Sequence, residues 1–333
     1  MVETKRNRAF DLAKGLLIIL VVIGHSGSFL TKYIFWFHMP AFFFISGLLF
    51  KEVTSTIEGK KYLIKKYKNY GFLYLSYFVF VIALSFLYIH LSDFSFYKTF
   101  LKLVIGGRFV GRELGVFWYI SCLIFSLTIF LFILLRIKQK KYQYLVLIIL
   151  YLLAHLEAYF QSHHNITFYV PLNIDVALLA VCYIGIGFYL KGWVMKMLNN
   201  LKLSMQVLAI TGGICLLLIV LNLCNILNYQ LDMKNLIYYS LLGDIIFPLV
   251  FTIFILSLCK FLDKSGLFKF LLYFGKYSIA IMFLHFSILE IYKHYFHYNW
   301  IIFSILGSLI PLLFAIACDK FKLTRILFLK GLS

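Results

Sequence analysis

Apolar and polar residues fall in long blocks along this chain. Runs of about twenty apolar residues recur at 10–30, 33–50, 70–90, 115–135, 143–160, 174–190, 204–222, 237–258, 277–295 and 299–318. That is the length a helix needs to cross roughly 30 Å of hydrocarbon at ~1.5 Å per residue. The pattern predicts an all-α, polytopic membrane protein of ten transmembrane helices, a single integral-membrane domain over 1–333. Most polar stretches between the blocks are short. The exception is "DFSFYKTFLKLVIGGRFVGRELGVFWY" (93–119), semi-apolar and glycine-rich. It suits an interfacial or re-entrant segment, either an ordinary loop or a basic lid over an outer site.

Composition agrees: 63% of residues are hydrophobic and 14% charged, against roughly 45–50% and about 25% in soluble domains. A soluble fold of this length has too little interior for so much apolar surface. The formal charge of +19 would fit nucleic acid only if the cations formed a basic face. They lie in short clusters between apolar blocks, which argues for membrane lipids as neighbours and against nucleic acid. With the N-terminus inside, 25 of the 32 Lys and Arg fall on the cytoplasmic side. The positive-inside rule therefore predicts cytoplasmic N- and C-termini. The N-terminal basic start and apolar run lack a small-residue cleavage site, so they are expected to stay as the first helix. The six cysteines have no metal-ligand spacing and read as packing residues; no metal is expected. "IGIG" (184–187) lies inside a span and reads as helix packing, as does Ser46-Gly47.

Ionisable groups inside hydrocarbon are costly, so each marks candidate chemistry. The first block, "FDLAKGLLIILVVIGHSGS", carries Asp11, Lys14 and His25. Eleven residue steps of about 100° bring Lys14 and His25 onto one face, about 16 Å apart along the axis. Asp11 can pair with Lys14 at i,i+3. Lys14 then sits at the inner boundary and His25 in the outer third. Taken singly, Lys14 could be a snorkelling anchor and His25 a structural imidazole. His38, across a turn in "FWFHMPAFFFISGLLF", can approach His25; Trp36 and the neighbouring Phe residues read as an interfacial belt. Glu113, Asp175, Asp244, His285 and Glu290 are further candidates, and the acid that orients His25 stays open among the carboxylates. His155, Glu157, His163 and His164 read as a solvated loop end.

"FDLAKGLLIILVVIGH", "FHMPAFFFISGLLF" and "FGKYSIAIMFLHFSIL" together resemble the membrane-bound acyltransferase-3 family, whose members O-acetylate surface polysaccharides and related sugars. The resemblance is strong over 8–50 and fair over 273–290. Its pattern of a basic residue, ten intervening residues and His is met by Lys14 and His25, with Lys where many members have Arg. Asp11 stands where the family has an acid. In place of a cytoplasmic Arg-x-x-Arg, this chain has Lys60, Lys61, Lys65 and Lys66.

The resemblance implies an O-acetyltransferase that moves an acetyl group from cytoplasmic acetyl-CoA to a hydroxyl of a surface or lipid-linked glycan. Capsule or exopolysaccharide is the favoured acceptor, in a bacterial cell membrane. Lys14, Asp11, Lys65 and Lys66 would form the donor mouth. His25 would be the general base or transient acyl acceptor, with His38 and Glu113 as further catalytic candidates. Arg108, Arg112, Trp118 and His285 would hold the acceptor. With no appended extracytoplasmic domain expected, transfer would finish in the membrane unit or through a separate partner of the polysaccharide-synthesis machinery. The competing class is a transporter or flippase for a glycan or lipid-linked sugar. It would show inverted repeats and paired broken helices; Pro248 is a mid-span break with no obvious partner in the first half. A structural partner of a polysaccharide synthase has no sequence feature in its favour.

Overall fold

The computed structural model describes residues 8–89, 95–164 and 170–331, with only the backbone described at 96 and 109. In chain order the helices are α1 (Arg8–Gly24), α2 (Thr31–Phe35), α3 (His38–Leu48), α4 (Thr56–Ser85), α5 (Phe96–Ile105), α6 (Trp118–Arg136) and α7 (Lys140–His164). They continue with α8 (Val176–Asn199), α9 (Leu201–Leu223), α10 (Gly243–Ser265), α11 (Leu271–Lys276), α12 (Ser278–Tyr295), α13 (Trp300–Lys320) and α14 (Lys322–Arg325). A two-stranded hairpin, β1 (Leu231–Asp232) against β2 (Ile237–Tyr238), is the sheet among the described residues; it pairs Leu231 with Tyr238.

Every predicted block overlaps a helix. Six segments are long and apolar enough to cross a membrane: Arg112–Arg136, Lys140–His164, Pro171–Asn199, Leu201–Leu223, Gly243–Ser265 and Trp300–Lys320. The remaining four blocks are shorter, broken or more charged. The first stops at Gly24 because Gly27 turns the chain at φ +67°, a region glycine enters without a Cβ clash. The second is broken between α2 and α3. The third starts at Thr56, well before residue 70, since Ser55 accepts the Glu58 N–H at 3.2 Å and Glu58 reaches back to Thr54 N–H at 3.2 Å. "STIE" is thus a near relative of the capping box, and it draws Lys60–Lys68 into the helix. The eighth starts at Gly243 because the hairpin occupies the residues before it.

The helix that pattern alone would place in lipid is the centre of the bundle. α1 packs against α3, α10, α11, α12 and α13. Two glycine pairs bring backbones into contact. A Cβ on Gly275 would stand 1.9 Å from the Asp11 carbonyl oxygen, and one on Gly15 2.0 Å from that of Leu271, which locks α1 to α11. Gly187 against Phe44 (2.1 Å) and Gly47 against Ile184 (2.0 Å) do the same for α8 and α3. Small residues drive such contacts between apolar helices, where lipid competes for every larger side chain. The packing expected of Ser46-Gly47 and of "IGIG" is therefore present.

Three local expectations are corrected. Trp36 is fully buried, with its indole N–H on the Tyr229 carbonyl at 3.0 Å, and so does not anchor an interface. Cys224 is exposed, unlike the other five cysteines. His155 and Glu157 are not solvated: folding brings α7 against Asp244 and Arg108, and their side chains are only 10% and 13% exposed.

Candidate functional site

The α1 helix ends at Gly24, yet the His25 N–H still bonds the Val21 carbonyl at 3.1 Å, so His25 keeps its helical direction. Lys14 and His25 therefore open onto different spaces along one line of the bundle. A cavity of about 240 Å³ at the Lys14 end is lined by Lys14, Lys66 and Lys276 with Ser46, Tyr62, Tyr70 and Tyr119. A second, also about 240 Å³, is lined by His25, His38, Trp118, Asp232, Lys234 and Asn235. Met282 of α12 lines both. Two neighbouring chambers thus share one flexible apolar side chain.

Three imidazoles converge at the second cavity, His25 and His38 in its wall and His285 packed against His25. His285 stacks on His25 at 5.3 Å between ring centroids and 26° between planes; His38 stands edge-on at 6.3 Å. Nδ1 of His38 lies 2.8 Å from the Ile34 carbonyl, and Nδ1 of His285 lies 2.9 Å from that of Ile281. A carbonyl only accepts, so each Nδ1 is the donor, and the neutral ring keeps its lone pair on Nε2. Nε2 of His285 is buried without a hydrogen-bond partner among the described residues. The His25 ring is held by aromatic contacts with Phe35, Phe286 and the two histidines. An unanchored imidazole beside two acceptor nitrogens, on a cavity, is equipped to take a proton and to be steadied once charged.

At the Lys14 end, Asp11 holds Lys14 at 2.9 Å, as the i,i+3 spacing predicts. Lys66 joins Lys14 on the cavity, whereas Lys65 is exposed and off it. Trp118 and His285 join His25, Trp118 directly on the cavity wall.

The other expected residues lie elsewhere. Arg108 pairs with Asp175 at 2.7 Å and approaches Glu157 at 3.8 Å; its side chain is 6% exposed and lines neither cavity. Its ion pairs brace the turn before α6 against α7 and α8. The Glu113 carboxylate is buried, 3.8 Å from Arg112, and also stays off both cavities, so it does not reach His25. Arg112 is more than half exposed and meets Glu290 at 3.5 Å. Asp244 is 3.0 Å from His155 Nε2, so it too is not the partner of His25.

Two cations escaped notice. Lys276 lies within the quoted "FGKYSIAIMF" block and closes α11, where a cation favours the helix dipole. It bonds Asp319 at 2.7 Å and the Tyr277 hydroxyl at 2.8 Å. Lys234 lies at the turn of "LDMKNLIY", where alternating apolar residues around a polar turn signal a hairpin. The longer apolar run that follows masks the signal.

Fold and site together define an integral-membrane protein whose titratable groups converge between helices. Residues 7–320 match the model of the acyltransferase-3 family, an acyltransferase domain, so the chain belongs to that family and is a membrane acyltransferase. Comparisons with curated proteins and with solved structures give no match. Among the described residues no cluster of His, Cys, Asp or Glu could hold a metal ion.

Proposed function

We propose that the protein moves an acetyl group from acetyl-CoA, bound at the Lys14 cavity, to a hydroxyl of a surface or lipid-linked glycan held at the His25 cavity. Capsule or exopolysaccharide is the favoured acceptor. The observation that carries this reading is the pair of cavities sharing Met282, lysines on one and imidazoles on the other. A donor with anionic phosphates and a long uncharged arm suits the first chamber, because Lys14, Lys66 and Lys276 can hold phosphate oxygens by charge-assisted hydrogen bonds. The thioester would pass Met282 into the second chamber. There, His25 accepts the proton of the attacking hydroxyl, and His285 Nε2 steadies the imidazolium. Trp118 offers the sugar an aromatic face.

Both termini on the cytoplasmic side of a bacterial plasma membrane would place the lysine chamber toward the donor. Arg112, exposed to the outside, suits an anionic group on the acceptor. Asp11 holds the Lys14 side chain in place. The test is transfer of label from radiolabelled acetyl-CoA to glycan in membranes containing the protein, with NMR of surface glycan from a deletion strain to locate the ester. Label in the glycan supports acyl transfer. Movement of lipid-linked sugar without label incorporation would point to a transporter.

A further inference from the structure

A base alone does not complete an acyl transfer. When a hydroxyl oxygen attacks a thioester carbon, the new C–O bond forms as the carbonyl π pair moves onto its oxygen, and the hydroxyl proton passes to His25. Collapse re-forms the carbonyl and breaks the C–S bond. The electron pair leaves on sulfur, which takes the proton from His25 and departs as thiol. The intermediate carries a full negative charge on one oxygen, and a donor aimed at it is commonly the largest single contribution to rate. His38 and His285 cannot supply it in their neutral form, since each has committed its N–H to a backbone carbonyl.

We propose that Lys234 is a catalytic residue of this transfer: from the tip of the β1–β2 hairpin, its ammonium holds the oxyanion in the His25 cavity. The assignment rests on the acyl-transfer reading given above. Lys234 lines the same cavity as His25. Its Nζ gives one hydrogen bond, to the Val110 carbonyl at 3.0 Å, and an ammonium has three protons to give. No carboxylate among the described residues forms an ion pair with it, whereas Arg108, Arg112 and Lys14 each have one. Gly115 makes the room: a Cβ there would stand 3.3 Å from Nζ.

The hairpin is itself fixed. Trp36 binds the Tyr229 carbonyl, Asn173 Nδ2 lies 3.4 Å from the Lys234 carbonyl, and Asn235 caps Asp232 through its backbone and side chain. A partly buried cation with no ion-pair partner among the described residues, on a rigid turn, is expensive, and an anion that forms in the cavity is what offsets that cost. The indole N–H of Trp118, which bonds no protein group among the described residues, is placed on the same wall as a second donor.

Burial lowers Lys234 to about 8 against the opposing pull of Asp232. It is therefore charged at neutral pH and loses its proton a little above it. The titratable and charged groups around it are Asp232 on its own hairpin, His25, His38 and His285 across the cavity, and Arg108, Arg112, Glu113 and Asp175 on the segments behind Val110 and Asn173.

The experiment is acetyl transfer by the purified full chain, comparing wild type with Lys234→Met and Lys234→Arg from pH 6 to 10. Lys234→Met is expected to lower kcat by about 10²–10³-fold, the usual effect of removing one oxyanion donor, with KM for the thioester within about twofold. Lys234→Arg, which keeps its charge, should retain more of kcat and abolish the fall in rate above about pH 8. An active wild type with Lys234→Met within twofold of it overturns the role of Lys234 alone. Should Lys234→Met fail to fold, an unchanged alkaline fall in Lys234→Arg also overturns it. A wild type that transfers no acetyl group removes the acyl-transfer reading, and the role of Lys234 with it.

Discussion

Two groups of buried ionisable residues lie in this bundle, and they are built on opposite plans. Around Asp244 and Arg108, charges are paired off. Asp244 meets His155 at 3.0 Å and the Ser240 N–H at 3.2 Å, and Arg108 meets Asp175 at 2.7 Å. Tyrosine hydroxyls close over the region: Tyr151 binds the Leu241 carbonyl at 2.6 Å, and Tyr183 binds the Asp244 carbonyl. Around His25, each flanking imidazole has Nδ1 on a backbone carbonyl, His285 Nε2 has no hydrogen-bond partner among the described residues, and His25 and His38 line a cavity. Both groups carry the cost of removing polar atoms from water. The first recovers part of it in ion pairs that tie α7, α8 and α10 together, although Asp244 Oδ1 still lacks a hydrogen bond among the described residues; the second borders a cavity, where a substrate can complete the contacts. Buried polarity is therefore a poor marker of chemistry by itself, and polarity that borders open space is a better one.

The comparison breaks most readily at its two centres. His25→Ala should lower transfer by about 10²–10⁴-fold, the usual contribution of a positioned base, with the melting temperature in detergent little changed. Asp244→Ala should do the reverse. Removing one partner of a buried pair costs about 3–5 kcal/mol of stability, seen as an earlier thermal transition, while folded molecules keep their kcat. A His25→Ala protein that unfolds, or an Asp244→Ala protein that is stable but inactive, would exchange the roles of the two groups. A smaller effect sharpens the histidine side. His285→Phe preserves a ring against His25 but removes Nε2, so the loss should be one hydrogen bond to a charged group, about 1.5–3 kcal/mol. That is roughly ten- to hundredfold in kcat, with substrate KM little changed.

How much of this was legible in the sequence follows from which forces act locally. The apolar blocks report a length matched to hydrocarbon, so all ten found helices. The i,i+11 relation of Lys14 and His25 is fixed by helix geometry and survived even though α1 ends one residue before His25. Pairing is not local. Nothing near Arg108 in the sequence announces Asp175, and nothing near Asp244 announces His155; these partners are joined by the docking of α7, α8 and α10. That is why the ion pairs of Arg108 are not legible, and why a buried histidine reads as a solvated one. Lys234 was hidden for the opposite reason: an apolar run long enough for a helix begins beside a turn that forms a hairpin instead.

The gentlest test concerns the lysine chamber, where the effect should appear in binding and leave the chemistry alone. Lys14 is about 16 Å along the helix from His25, too far to touch the reacting atoms, yet it lines the neighbouring cavity with Lys66. Lys14→Met should raise KM for acetyl-CoA about fivefold and leave kcat unchanged, the signature of contacts made equally in ground and transition states. The increase should shrink at high salt, because the contact is ionic and partly exposed. Lys65→Met is the matched control: this cation lies one residue from Lys66, points away from the cavity, and should leave KM within about 1.5-fold, the small effect usual for an exposed charge. Equal effects from the two substitutions would mean that the donor reads the general positive potential of α4, and the chamber at Lys14 would lose its claim as the binding site.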